Sequence, residues 1–200
     1  ADLTGGETIC PTQSSILKVN LILGTGPYTL NIPHHGIVNN YNSGDNITVT
    51  PAATTTYTLL SVTDANGCQV TGAPYLTGSA TVVVRALASI SVQPTDKTIC
   101  EFNTTSFQVT AGGTDITYQW YVNDGSGWTV VIDGGIYNGA TASKLNLYGT
   151  TRDMDTYQYH VVIENCSTPV TSNDVTLTVN TIPEITNQPT DSTICSTQDA

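Results

Sequence analysis

Positive charge is scarce in this chain. Its 200 residues hold 5 Lys and Arg against 16 Asp and Glu, a formal net charge of −11. A nucleic-acid binder needs cations to displace phosphate counterions, and an anionic membrane attracts proteins the same way, so neither is an expected partner. Charge of either sign is thin, at 10% of residues, which excludes a charge-driven disordered tail. Long apolar runs are missing too. No stretch approaches the roughly 18 residues of a membrane-spanning helix, so direct membrane insertion is not expected. The opening Ala1-Asp2-Leu3-Thr4-Gly5 has neither a basic region nor an apolar core. No signal peptide is present, so either it has been removed or the chain starts inside something longer. Helix formers are few, with a single Met. Thr, Ser, Asn and Gly fill their place, and Thr suits a half-buried pleated surface far better than a helix. An all-β fold follows.

What the chain does have is a repeat. Gly6-Glu7-Thr8-Ile9-Cys10 returns as Asp96-Lys97-Thr98-Ile99-Cys100 and again as Asp191-Ser192-Thr193-Ile194-Cys195. The later copies share a longer lead, Gln93-Pro94-Thr95-Asp96 against Gln188-Pro189-Thr190-Asp191. The cysteines are 90 residues apart (10 to 100), then 95 (100 to 195), which is a domain-sized period. The expected division is a first repeat over 1–86, a second over 87–181, and the opening strand of a third, or a donated strand, over 182–200. Neither joint has a Gly/Ser-rich spacer, so closely coupled repeats are expected.

Period-two alternation marks seven strands in the second repeat. They carry Ile90 and Val92; Phe107 and Val109; Ile116, Tyr118, Trp120 and Val122; Trp128, Val130 and Ile132; Leu145 and Leu147; Tyr157, Tyr159, Val161 and Ile163; and Val175, Leu177 and Val179. Turn signals such as Gly112-Gly113 and Asp133-Gly134-Gly135 separate them, as in a two-sheet sandwich. The first repeat follows the same plan through Leu17, Val19 and Leu21; Tyr28, Leu30 and Ile32; Ile47 and Val49; one strand from Tyr57 through Val62; and Val82 and Val84.

Each repeat has one early and one late cysteine, and a fifth is left over. Matched placement pairs Cys10 with Cys68 and Cys100 with Cys166. Each bond would close a loop of about 60 residues and stabilise by roughly 4 kcal/mol in the chain-entropy model. Cys195 repeats the early position, so it is unpaired here or bonds between modules. Such staples imply an oxidising, extracellular place, cell surface or secreted.

The second repeat resembles the immunoglobulin-like repeats of large, type IX-secreted surface adhesins of Bacteroidetes, of the gliding-motility kind. The matching residues are Gln93 to Cys100, Tyr118-Gln119-Trp120, Gly134 to Thr141, Tyr157-Gln158-Tyr159 and Cys166 to Val179. The first looks like a sister repeat through Thr54 to Leu59 and Asp64 to Cys68. The resemblance implies tandem two-sheet sandwiches, with Trp120 and Tyr157 as the core Trp and the tyrosine corner. Phe107 and Tyr159 fall near the positions that a central disulfide takes in antibody-type domains. Ser192, within Asp191-Ser192-Thr193, looks like an O-glycosylation signal of that group.

Chemistry-bearing clusters are hard to find. His34, His35 and His160 are the only histidines, and there is no Gly-x-Ser-x-Gly or His-Glu-x-x-His. An enzyme is therefore not expected, nor a cofactor. Asp153 and Asp155 are weak calcium candidates, more simply braces of the turn before the sixth strand. Trp128 and Tyr137 are candidates for stacking on a sugar. The leading expectation is a non-enzymatic, disulfide-stapled spacer or adhesive repeat of an extracellular bacterial adhesin or fibre. Its partners would be neighbouring repeats or identical subunits, with surface glycans or other cells beyond them. One alternative is a filament subunit whose residues 182–200 complete a neighbour by strand addition. Another is a carbohydrate-binding accessory module of a secreted enzyme.

Overall fold

The computed structural model of the chain describes residues 1–166 and 168–191. The described residues are all-β, with a single 3-10 turn at Arg152–Met154 and no α-helix. Ser192 and Cys195 lie outside them.

The strand ladders fall into two sets. The first set contains β1 (Asp2–Gly5), β2 (Thr8–Ile9), β3 (Ser15–Asn20), β4 (Tyr28–Ile32), β5 (Gly36–Tyr41), β6 (Ile47–Val49), β7 (Thr55–Tyr57), β8 (Ser61–Thr63), β9 (Gln69–Thr71) and β10 (Ala80–Val84). They pair as β1-β3-β6, β2-β10-β7 and β5-β4-β8-β9. Alternation builds this sandwich directly. In β3 the residues Ser15, Leu17 and Val19 point in, and in β4 Tyr28, Leu30 and Ile32 do. The apolar ones join Leu3, Tyr41, Ile47, Tyr57, Val62 and Val82 in one buried core.

The expected strand from Tyr57 through Val62 is two strands. Tyr57 and Leu59 are buried, and the next buried residue is Val62, so the phase slips by one. At that slip the chain changes partner, from β10 at β7 to β4 at β8.

The second set contains β11 (Ser89–Val92), β12 (Lys97–Cys100), β13 (Thr105–Gln108), β14 (Thr110–Gly112), β15 (Thr117–Asn123), β16 (Trp128–Val130), β17 (Tyr137–Asn138), β18 (Lys144–Leu147), β19 (Gln158–Glu164), β20 (Val170–Thr171) and β21 (Val175–Asn180). They pair as β11-β14, β13-β18-β17 and β12-β21-β19-β15-β16, with β20 on the free stretch of β19. Trp120, Phe107 and Tyr159 are fully buried. Phe107 stacks on Tyr159 with ring centroids 4.8 Å apart, and lies 6.4 Å from Trp120.

The fourth expected strand has its phase reversed. Trp128, Val130 and Ile132 face outward, and Val131 is the buried one. Its N–H donates to the Trp120 carbonyl at 3.0 Å, which fixes the register. Residues 181–191 form no strand. The corresponding β11 is a strand because it bonds to β14, and no such partner faces 184–187 among the described residues.

By compactness the chain divides into two units. The first takes residues 1–93 with 109–118 and 162–172, and the second takes the other described residues. The first unit therefore owns β11, β14, β20 and one end each of β15 and β19 as well as the whole first ladder set.

Candidate functional site

The most constructed feature of the molecule lies within the first unit, where residues 84–88 leave β10. Arg85 donates its N–H to the Ile9 carbonyl at 3.0 Å, continuing the parallel β2–β10 ladder. Beyond it the backbone passes to a side chain. Asn165 is buried and uses its whole amide: Nδ2 donates to the carbonyls of Ala86 at 2.7 Å and Thr114 at 2.9 Å, and Oδ1 accepts from the Ala88 N–H at 2.8 Å. A buried amide so satisfied fixes its neighbours, because losing it takes a partner from the Thr114 carbonyl and from the N–H of buried Ala88. Thr114 closes the turn, accepting the Ala86 N–H at 3.2 Å through Oγ1 and donating its own N–H to the Ala86 carbonyl at 3.0 Å. Outside, Arg85 pairs with Asp115 at 3.2 Å, an exposed contact of about 0–1 kcal/mol.

Beside Asn165 stands the disulfide. Cys10 is bonded to Cys166 across 156 residues of sequence, with Cα atoms 5.5 Å apart. Cys68 and Cys100 are free and exposed. This corrects the expected pairings Cys10–Cys68 and Cys100–Cys166. The reason is strand register. Cys10 follows Ile9, which lies level with Val84 at the end of β10. Cys68 lines a cavity with Ala1, Tyr75 and Thr77, before β10 begins, so the two stand at opposite ends of one sandwich. Cys100 lies level with Asn180, the last residue of β21, whereas Cys166 follows β19, which runs antiparallel and starts level with Thr176. A disulfide needs Cα atoms within about 7 Å, which Cys10 and Cys166 satisfy.

The Cys68 turn is braced by Asp64. Its Oδ1 accepts the N–H groups of Asn66 and Cys68, both at 2.9 Å, and Oδ2 accepts that of Thr25 at 3.3 Å. The Cys68 N–H, more than any other group, holds this carboxyl below the usual range, against a smaller upward pull from desolvation.

The remaining candidates are committed to packing in various degrees. Trp120 is a core residue, its Nε1 donating to the Ala142 carbonyl at 2.9 Å. Tyr157 is only half-buried, so the core tyrosine is Tyr159, two residues on and in the inward phase. Tyr137 turns its hydroxyl to that of Tyr159 at 3.1 Å, and burial raises the pKa of both phenols. Trp128 rests its ring on His160 at 3.9 Å, and His160 Nδ1 lies 3.0 Å from Asp174 Oδ1. Asp155 accepts the Val179 N–H at 2.9 Å, bracing the turn, while Asp153 is exposed. Among the described residues no group of three or more His, Cys, Asp or Glu is arranged to hold a metal. Asn165 escaped sequence reasoning. Its one signal is that it precedes Cys166.

No protein-family model matches the chain, and no curated protein matches it. Solved structures do. A titin I-band fragment, I67–I69, aligns over 90% of this chain with TM-score 0.64 at 14% identity. An E-to-A variant of titin I67–I69, described as a 3Ig structure, aligns over 94% with TM-score 0.65 at 15% identity. The chain spans 66% and 69% of those fragments. It is an all-β chain of immunoglobulin-like sandwiches. At this identity the likeness concerns fold alone. Phe107 and Tyr159 stack at the centre of the second sandwich.

Proposed function

We propose that this chain is a non-enzymatic structural segment of an extracellular surface adhesin or fibre, in which immunoglobulin-like repeats over 1–86 and 87–181 act as stapled spacers. The observation that carries the reading is the Cys10–Cys166 bond, which ties a strand end of the first repeat to a turn of the second. A bond so placed serves the array more than either core, because it closes most of both repeats into one covalent loop. An oxidising, extracellular location fits such a bond. The finer reading, a gliding-type adhesin of Bacteroidetes, rests on the resemblance at Gln93–Cys100 and Tyr118–Trp120. The partners are then neighbouring repeats, with glycans or other cells at a distance.

A second reading is favoured by one observation. Residues 181–191 form no strand, and Ile182 and Ile185 are exposed there. A filament subunit would use this segment as a strand donated to a neighbour.

The test is antibody labelling of the cells that make the protein. Surface display predicts equal labelling of intact and permeabilised cells. Labelling that appears only after permeabilisation contradicts the proposal.

A further inference from the structure

Two thiols are unused by everything described so far, Cys68 and Cys100. Each occupies in its own repeat the place that a bonded cysteine occupies in the other. Cys10 and Cys100 both stand at the end of a strand that lies parallel to the last strand of its sandwich, β10 or β21. In both turns the residue two beyond the cysteine is left-handed, Thr12 at φ 70° and Phe102 at φ 66°. The next N–H donates back to the cysteine carbonyl, from Gln13 at 3.1 Å and Asn103 at 3.3 Å. Cys68 lies in the turn between β8 and β9, as Cys166 lies in the turn between β19 and β20. Of the four, the pair that is bonded joins the strand-end cysteine of one repeat to the turn cysteine of the next.

We infer that Cys100 and Cys68 are the open halves of this same staple: Cys100 takes the turn cysteine of a following repeat, and Cys68 takes the strand-end cysteine of a preceding one. The partner is an immunoglobulin-like repeat of this kind, and a second copy of the chain presents both cysteines. The surfaces agree. Beside Cys68, a cavity of about 440 Å³ is walled by Ile22, Leu23 and Tyr75, which are 89%, 83% and 66% exposed. Beside Cys100, Phe102 is 65% exposed. Large apolar groups gathered at a free thiol suit a surface that a packed neighbour covers. The inference rests on the repeat reading proposed above.

The bond forms by two exchanges with a small-molecule disulfide such as oxidised glutathione. The Cys100 thiolate attacks one sulfur, forming a mixed disulfide and releasing one glutathione thiolate. The incoming Cys68 thiolate attacks the Cys100 sulfur and releases the second. Two protein thiols lose two protons and two electrons, and the oxidant is reduced to two thiols.

The test uses the chain with Cys195→Ser in a glutathione redox buffer. Cys68→Ser and Cys100→Ser are made separately in that background, and intact mass and melting temperature verify that each keeps the Cys10–Cys166 bond and the fold. The parent is expected to give a reductant-sensitive ladder. Each variant alone stays monomeric, and their mixture gives a dimer in which the Cys100 and Cys68 peptides are joined. Homodimers as abundant as the mixed dimer, or thiols that remain fully alkylatable in the mixture, overturn the inference. Such a failure alongside intact surface labelling would leave the repeat reading standing.

Discussion

The two sandwiches follow one strand plan with different cores. The first is aliphatic, built on Leu17, Val19, Leu30 and Ile32, with tyrosines at its edge whose hydroxyls are tied to the backbone. The second is aromatic, built on Trp120, Phe107 and Tyr159. Yet β2 runs parallel to β10 as β12 does to β21, and the turn after the early cysteine is the same in both. Alternation and the turns set the plan, and the central Trp is one way of filling it. Position along the strands, not core chemistry, is what the cysteines share.

That comparison is sharpened first by Trp120→Ala. Removing a fully buried Trp costs about 3–5 kcal/mol. Urea unfolding followed by amide exchange is expected to show the amides of β18 and β21 losing protection while those of β3 and β4 keep theirs. Equal loss in both sets would mean that the cores are not separate. Next comes Asn165→Ala, expected to cost about 2–3 kcal/mol because it takes their side-chain partner from the Thr114 carbonyl and the Ala88 N–H, and leaves the Ala86 carbonyl with the Thr114 N–H alone. The Ala88 amide should then exchange faster even with the disulfide closed. Tyr41→Phe is a smaller change. Its hydroxyl accepts the Val19 N–H at 2.7 Å and donates toward the carbonyls of Val19 at 3.0 Å and Asp45 at 2.9 Å. Its loss is expected to cost about 1 kcal/mol, read as a lower denaturation midpoint confined to the first set.

The smallest effect is one of pH. The Asp64 carboxyl is held below its ordinary value by the Cys68 N–H, so its support of that turn is whole above the unfolded carboxylate pKa near ~4 and is lost as pH falls through the lower folded value. The Cys68 amide shift should move in that acid window. Asp64→Asn should abolish the movement without altering the Val19 amide.

Much of this fold is legible in the residues. Leu17, Val19, Tyr28, Leu30 and Ile32 alternate without a break, and each is inward or nearly so. Where reading fails, a second influence acts on the chain. Trp128, Val130 and Ile132 alternate as a core face would, but the Gln119 amide and the Trp120 backbone bind Val131 instead, and that register turns the apolar set outward. Between Tyr57 and Val62 the chain changes partner, a tertiary choice with only a one-residue slip as its signal. The cysteines teach the same lesson. Their matched placement is real, since Cys10 and Cys100 share a register. Equal placement within repeats identifies equivalent positions, however, and does not say which of them meet. That depends on which end of each sandwich a residue occupies, and the ends follow from parallel or antiparallel pairing. Asn165 was invisible for a related reason, because its partners at 86, 88 and 114 are far from it in sequence.

The central claim, that one bond gathers both repeats into a single covalent loop, is tested most directly by stretching single molecules from their ends with and without reductant. The span from Cys10 to Cys166, a sequence separation of 156, is shielded from extension while the bond is closed. At up to about 3.3–3.6 Å per residue, reduction is expected to release roughly 500 Å of further contour length. The same final length in both conditions would contradict the account.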